Sequence, residues 1–364
     1  MKKQLLYTAA APFESACEVR ILAADHPSHR LHGHSFMARV RAQLPDGWAE
    51  FPGAESDMLQ AKLESCVAPL DYDLLNNHLQ VPTDENLARW VRERLDVPGI
   101  QLVGIQSTLH EGADLDMHGN AHIWRRYRFE AAHQLPNVPA GHQCGRMHGH
   151  GFEIILHANQ QLGDQDMGLD YALLDQYWQP LQEQLDYSCL NDIEGLENPT
   201  SEALSAWIWQ QLKPVLPQLS WVTVYETVTA GCHFDGSKYR IWKEQRFESA
   251  LSLQLAPEGD RRRQLHGHSY LLRLHLTAEL DPVMCWTIDY GDVKELFKPV
   301  FKTLDHHLLD LLEGIQDSDP ASILHYIRRH CGLQLPQLDR VDLYQLPGCG
   351  AILSWGDDEP ALPV

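Results

Sequence analysis

Three pairs of histidines are each spaced by one glycine: His32-Gly33-His34, His148-Gly149-His150 and His266-Gly267-His268. On a β-strand alternate residues share a face, so each pair presents two imidazoles together. A third imidazole from a neighbouring strand would complete three ligands and leave one position open, the pattern of catalytic rather than structural zinc. His133, fifteen residues before His148 at the end of the phrase FEAAH, is the natural third. A lone His-x-His is most often surface decoration, but three at nearly equal intervals call for another explanation.

The three surroundings differ in ways that bear on chemistry. The place of His133 is taken by Cys17 in the first stretch and by Leu251 in the third. Leucine cannot bind a metal, whereas a cysteine thiolate can, so whether Cys17, His32 and His34 hold a metal stays open. Four residues before each HGH stand Ser28, Cys144 and Arg262, so only the middle stretch, HQCGRMHGH, puts a thiol beside its histidines. Positive charge there would favour a thiolate able to act as base or nucleophile. A Leu-Asp phrase further on continues with Tyr72, Tyr187 and His306, so the pair Asp305–His306, suited to proton relay, occurs only in the third stretch. On the closing strand Glu226 aligns with Ser107 and Gln345. A carboxylate there is able to hold an amidine-like heterocycle by paired hydrogen bonds.

These landmarks recur in one order. FESAC, FEAAH and FESAL precede the three HGH motifs; LDYDLLN, LDYSCLN and LDHHLLD follow, and then PTDEN, PTSEA and PASIL. One unit of about 118 residues is therefore written three times, over 1–122, 123–240 and 241–364. GFEIILHA (151–158) and SYLLRLHL (269–276) read as strands that carry HGH at their start. DYALLDQYWQPLQEQLD (170–186) reads as an amphipathic helix. SEALSAWIWQQLKP (201–214) reads as a second helix started by Ser201, and WVTVYET (221–227) as a closing strand. The unit is α+β.

Composition narrows the class. A net charge of −21 leaves no surplus of cations for phosphate backbones, which excludes a general nucleic-acid binder. Eight scattered cysteines without a CxxC pair make neither a disulfide framework nor a zinc ribbon. No apolar run is long enough to cross a membrane as a helix. Tyr7 and Thr8 interrupt the apolar character of MKKQLLYTAAAPF, against a signal peptide, so a cytoplasmic protein with reduced thiols is expected.

The segment FEAAHQLPNVPAGHQCGRMHGHGF (129–152), with ENPTSEALSAWIWQQLKP and VYETVTAG after it, resembles the 6-pyruvoyltetrahydropterin synthase family. The likeness is greatest to the bacterial 6-carboxytetrahydropterin synthases of queuosine biosynthesis, which share the Cys-x3-His-Gly-His spacing. It is specific over 123–240 and degraded on either side. It implies the tunnelling fold, in which three units close their sheets into one antiparallel barrel with helices outside. Three tandem repeats would then form a covalent pseudo-trimer, and two chains would stack as a homodimer. It also implies a zinc-dependent lyase acting on 7,8-dihydroneopterin triphosphate, with zinc on His133, His148 and His150. Cys144 and Asp305–His306 would be catalytic, meeting across the interface of repeats 2 and 3, and Glu226, with Glu202 or Thr200, would anchor the pterin. Arg146 and His142 are candidates for the triphosphate. One working site and one zinc per chain are expected. The alternatives are a 6-pyruvoyltetrahydropterin synthase-type activity on a related pterin and a non-catalytic pterin-binding scaffold.

Overall fold

The computed structural model describes residues 3–160, 167–315 and 317–356. In repeat 1, β1 (Gln4–Cys17), β2 (His32–Ala42), β3 (Ile100–Thr108) and β4 (Glu111–Asp116) pair antiparallel in sequence order. Repeat 2 does the same with β5 (Ala121–His133), β6 (His148–Gln160), β7 (Leu219–Thr227) and β8 (Ala230–Phe234). Repeat 3 follows with β9 (Tyr239–Leu251), β10 (His266–Ala278), β11 (Leu338–Leu346) and β12 (Cys349–Ser354). Three seams join the repeats: β4 pairs with β5, β8 with β9, and β12 with β1. The twelve strands thus close into one antiparallel barrel, the tunnelling fold that the resemblance implies. Closure leaves the ring without an unpaired strand edge.

Each repeat inserts two helices between its second and third barrel strands: α1 (Glu55–Val67) and α2 (Asp84–Arg94), α3 (Tyr171–Leu185) and α4 (Ser201–Leu212), α5 (Tyr290–Leu304) and α6 (Pro320–Cys331). Their apolar stripes cover the outer faces of the strands. In repeat 2, Leu174 and Trp178 of α3 and Leu204 and Ile208 of α4 join Phe129, Phe152 and Ile154 in one buried cluster. Side chains that alternate with this outer core point into the barrel. Across that interior Arg41 reaches the Tyr344 hydroxyl at 3.3 Å, and Arg340 makes a two-pronged pair with Asp342 at 2.7 Å. The strands are therefore buried on both faces, apolar without and mixed within, where Leu6, Leu102 and Ile352 form a small apolar cluster beside these charged groups.

Helix α4 starts at Ser201, as the sequence indicates, and the extended Thr200 before it is the cap, its Oγ1 accepting the Ala203 N–H at 3.1 Å. Ser201 is the first helical residue, and its hydroxyl is free to face the closing strand.

Candidate metal centre

His133 ends β5 directly opposite His148, which begins β6, and His150 follows two residues on along the same face. The hairpin register alone therefore gathers three imidazoles, with ring centroids 4.5, 5.2 and 5.0 Å apart. Glu226 of β7 joins them: its Oε1 lies 3.6 Å from His150 Nε2 and 3.9 Å from His133 Nε2, and one donor atom from each of the four residues falls within 4.8 Å of the others. Ser201 holds the other oxygen, donating to Glu226 Oε2 at 2.6 Å.

The outer hydrogen bonds fix the tautomers. His133 Nδ1 faces the Pro199 carbonyl at 3.0 Å and His148 Nδ1 the Arg146 carbonyl at 2.7 Å. A carbonyl only accepts, so each Nδ1 carries the proton and each Nε2 lone pair turns inward. The Nε2 atoms of His133 and His150 are buried without a hydrogen-bond partner. Leaving such atoms unsatisfied costs about 1–3 kcal/mol each, a cost that a cation would remove. Burial also lowers the basicity of both rings, which favours the neutral, ligating form. The three imidazoles read from the sequence fit zinc, and the free Oε1 of Glu226 lies beside them.

Cys144 sits on a short turn after His142, whose Nδ1 accepts the Cys144 N–H at 3.2 Å. Burial raises its thiol pKa, and the carboxylates of Glu226 and Asp289 raise it further. Among the described residues, the charged side chains that act on this thiol are thus carboxylates rather than the expected cations.

What faces the centre from repeat 3 is the segment before α5. Met284 O accepts from Asn198 Nδ2 at 2.7 Å, and Cys285 O accepts from Thr200 Oγ1. Glu202 Oε1 accepts both the N–H and the hydroxyl of Thr287, at 2.7 and 2.9 Å. His142 lies 3.3 Å from Asp289. Thr200 and Glu202, read as pterin anchors, therefore spend polar atoms on this segment. His142, read as a phosphate ligand, pairs with a carboxylate, and Arg146 is exposed. Thr287 and Asp289 were missed by sequence reasoning. The signal was present in the recurring Asp-Tyr at Asp170-Tyr171 and Asp289-Tyr290, each opening a helix.

Asp305 and His306 meet each other, at 3.0 Å, but the structure holds them to their own repeat. Asp305 Oδ1 accepts the Glu248 N–H, and the His306 N–H donates to the Glu248 carbonyl at 2.6 Å. Asp71–Tyr72 and Asp186–Tyr187 dock on Glu14 and Glu130 in the same way. The three residues after Asp share a positive φ of 53–56°. The aspartate is thus a structural clamp in every repeat. The His306 side chain is 77% exposed.

The counterparts are unequal. In repeat 1, Cys17, His32 and His34 cluster within 4.8 Å; in repeat 3, Leu251 stands opposite His266 and supplies no donor. A cavity of about 800 Å³ opens there, lined by Leu251, His266, His268, Gln345 and the edge of repeat 1.

The chain belongs to the 6-pyruvoyl tetrahydropterin synthase family, whose profile matches it three times, over residues 8–108, 122–237 and 240–354. By family it is an enzyme that processes pterins. Among its relatives, the 6-carboxy-5,6,7,8-tetrahydropterin synthase of Synechocystis sp. is 39% identical over 119 residues, 31% of this chain and 91% of that protein. The dihydroneopterin monophosphate aldolase of Pyrococcus furiosus is 31% identical over 105 residues, 27% of this chain and 82% of that protein. The 6-pyruvoyl tetrahydropterin synthase structure from Caenorhabditis elegans aligns at 18% identity with a TM-score of 0.28, over 32% of this chain and 95% of that one. No helix among the described residues is long and apolar enough to cross a membrane.

Proposed function

We infer that the chain is a zinc-dependent 6-carboxy-5,6,7,8-tetrahydropterin synthase with one working centre, in the second of three units spanning 1–122, 123–240 and 241–364. The reaction converts 7,8-dihydroneopterin triphosphate and water to 6-carboxytetrahydropterin, acetaldehyde and triphosphate, a step toward queuosine and other 7-deazapurines. The observation that carries this reading is the pair of buried, unpartnered Nε2 atoms of His133 and His150 beside His148 and Glu226, with Cys144 on the adjoining turn. The relative from Synechocystis sp. supports the choice of product.

Zinc bound there supplies Lewis acidity to the side-chain hydroxyls of the substrate. Glu226 accepts hydrogen bonds from the pterin ring through the oxygen not held by Ser201. Thr200 and Glu202 serve this site by holding the 284–287 segment of repeat 3 in place. Cys144 takes and returns a proton at the substrate side chain, and its raised pKa calls for a partner base. His306, backed by Asp305, is that partner, and its exposure suits delivery to Cys144 of a second copy in a homodimer. The cytoplasm, where thiols stay reduced, suits a mechanism built on Cys144.

Incubation of metal-loaded protein with dihydroneopterin triphosphate, followed by mass spectrometry, tests the reading. 6-Carboxytetrahydropterin with acetaldehyde is expected. 6-Pyruvoyltetrahydropterin would move the chain to the other activity of the family, and no turnover would leave a pterin-binding scaffold.

A further inference from the structure

We propose that repeat 1 holds a second metal ion, structural rather than catalytic, on Cys17 Sγ, His32 Nε2 and a ring nitrogen of His34. The ion would be a thiophilic divalent cation, zinc or its cobalt surrogate, because a thiolate with two imidazoles is a poor set for magnesium or calcium.

The hairpin that gathers the repeat 2 ligands is repeated here residue for residue. Cys17 pairs with His32 across β1 and β2, and His34 follows on the same face. Cys17 Sγ lies 3.5 Å from His32 Nε2. His32 Nδ1 is tied to the Arg30 carbonyl at 2.7 Å, as His148 is to that of Arg146, so its Nε2 lone pair turns toward the thiol. The His32 and His34 rings stand edge-on at 5.1 Å and 88°, against 5.0 Å and 85° for His148 and His150. His266 and His268 keep this geometry too, at 5.2 Å and 86°. The fold therefore presents the histidine pair in every repeat, and the third donor decides whether a metal is held. Cysteine supplies one; Leu251 does not.

The surroundings fit an ion without a substrate. The cavity beside Cys17, His32 and His34 is about 80 Å³, well short of the roughly 300 Å³ where small-molecule sites begin. The pair Ser201–Glu226 of repeat 2 reappears with its roles exchanged: Asp84 on the helix accepts from Ser107 on the strand at 2.7 Å. The same Asp84 oxygen also accepts from Tyr171 of repeat 2 at 2.8 Å, so it is committed to the seam. Ser28 stands where Cys144 would be, so the place of that thiol is taken by a hydroxyl. Met167, Leu169 and Tyr171 of repeat 2 close the cavity. An ion here would brace the end of the first hairpin against that seam.

The test is metal stoichiometry with cobalt optical spectra on the full chain, stripped with chelator and reloaded with zinc or cobalt. Two ions per chain are expected, falling to one in Cys17→Leu, which copies repeat 3, and to one in His148→Ala. The thiolate-to-cobalt charge-transfer band should persist in His148→Ala and vanish in Cys17→Leu. Cys17→His should keep two ions without the band, which separates ligation from misfolding. One ion per chain, lost in His148→Ala, would overturn the proposal, as would a band that survives Cys17→Leu. None of these readings depends on turnover, so a failed assay of pterin chemistry leaves them intact.

Discussion

Repeats 1 and 2 start from the same hairpin and end in different chemistry. Both bring three nitrogen or sulfur donors within 4.8 Å, and both tie the first histidine of the pair to the carbonyl two residues before it. In repeat 2 the carboxylate lies on the strand, its Oε1 turned toward the histidines, with a thiol on the adjoining turn. In repeat 1 the carboxylate has moved to the helix and is committed to Ser107 and Tyr171. The metal-gathering geometry thus belongs to the fold, while reactivity depends on a few side chains that surround it.

The largest effect expected from breaking that contrast lies at the shared centre. Cys144→Ala and His306→Ala should each remove most turnover, on the order of 10²–10⁴-fold for a lost proton-transfer group, with zinc content unchanged. Co-assembling the two variants should restore about a quarter of wild-type activity, since half of the dimers carry one intact site. No recovery, with light scattering showing a monomer, would return His306 to a role within its own chain. Next, Leu251→His supplies repeat 3 with the missing third donor beside a cavity of about 800 Å³, and elemental analysis should find one further zinc per chain. An unchanged metal content would mean that the hairpin alone does not gather a site.

A smaller effect concerns the seam. Burial pushes the Glu202 carboxyl up to about 7, and Asp84 likewise to about 7. A carboxyl whose folded pKa lies above its unfolded value is most favourable to folding below the unfolded pKa, and that contribution is lost as pH rises through the folded one. Stability should therefore fall between about pH 4 and 7, and Glu202→Gln should remove its share of the slope, on the order of 3 kcal/mol, leaving that of Asp84. Melting temperatures of both proteins across this range decide it; parallel profiles would refute the assignment. Last, Tyr187→Ala should change turnover by no more than about twofold, because this residue is exposed in a repeat whose clamp is the aspartate before it. A severe loss in steady-state rate would place Tyr187 in the working site.

Much of this was legible in the residues. HGH at nearly equal intervals gives the repeats, and the helix and strand periods around 170–186, 201–214 and 221–227 lie within two residues of α3, α4 and β7. His133 could be chosen because a hairpin places its two ends opposite each other. Other features depend on which repeats touch, and spacing does not encode that. Asp305–His306 looked like a pair for the neighbouring site, yet a parallel two-residue pairing pins that phrase to β9 of its own repeat. The occupation of Thr200 and Glu202 by the 284–287 segment crosses some eighty-five positions of sequence. The Ser–Glu to Asp–Ser exchange was hidden because each member looks like a loss until the two are seen to touch.

The ring has one more property. Two of its seams are short turns in the chain, at 117–120 and 235–238, but the third pairs Gln4 with Ser354 and joins the first barrel strand to the last. Until β12 is made, β1 and the growing end of the sheet stay open, and contacts so distant in sequence form late and leave edges exposed. Pulse-labelled hydrogen exchange during refolding should find the β1–β12 amides protected last; early protection there would show that the ring closes by another route. The chain is in effect a circle cut at one of three equivalent places, so joining its first and last strands and reopening it at either turn would give a permuted chain with every strand pairing kept.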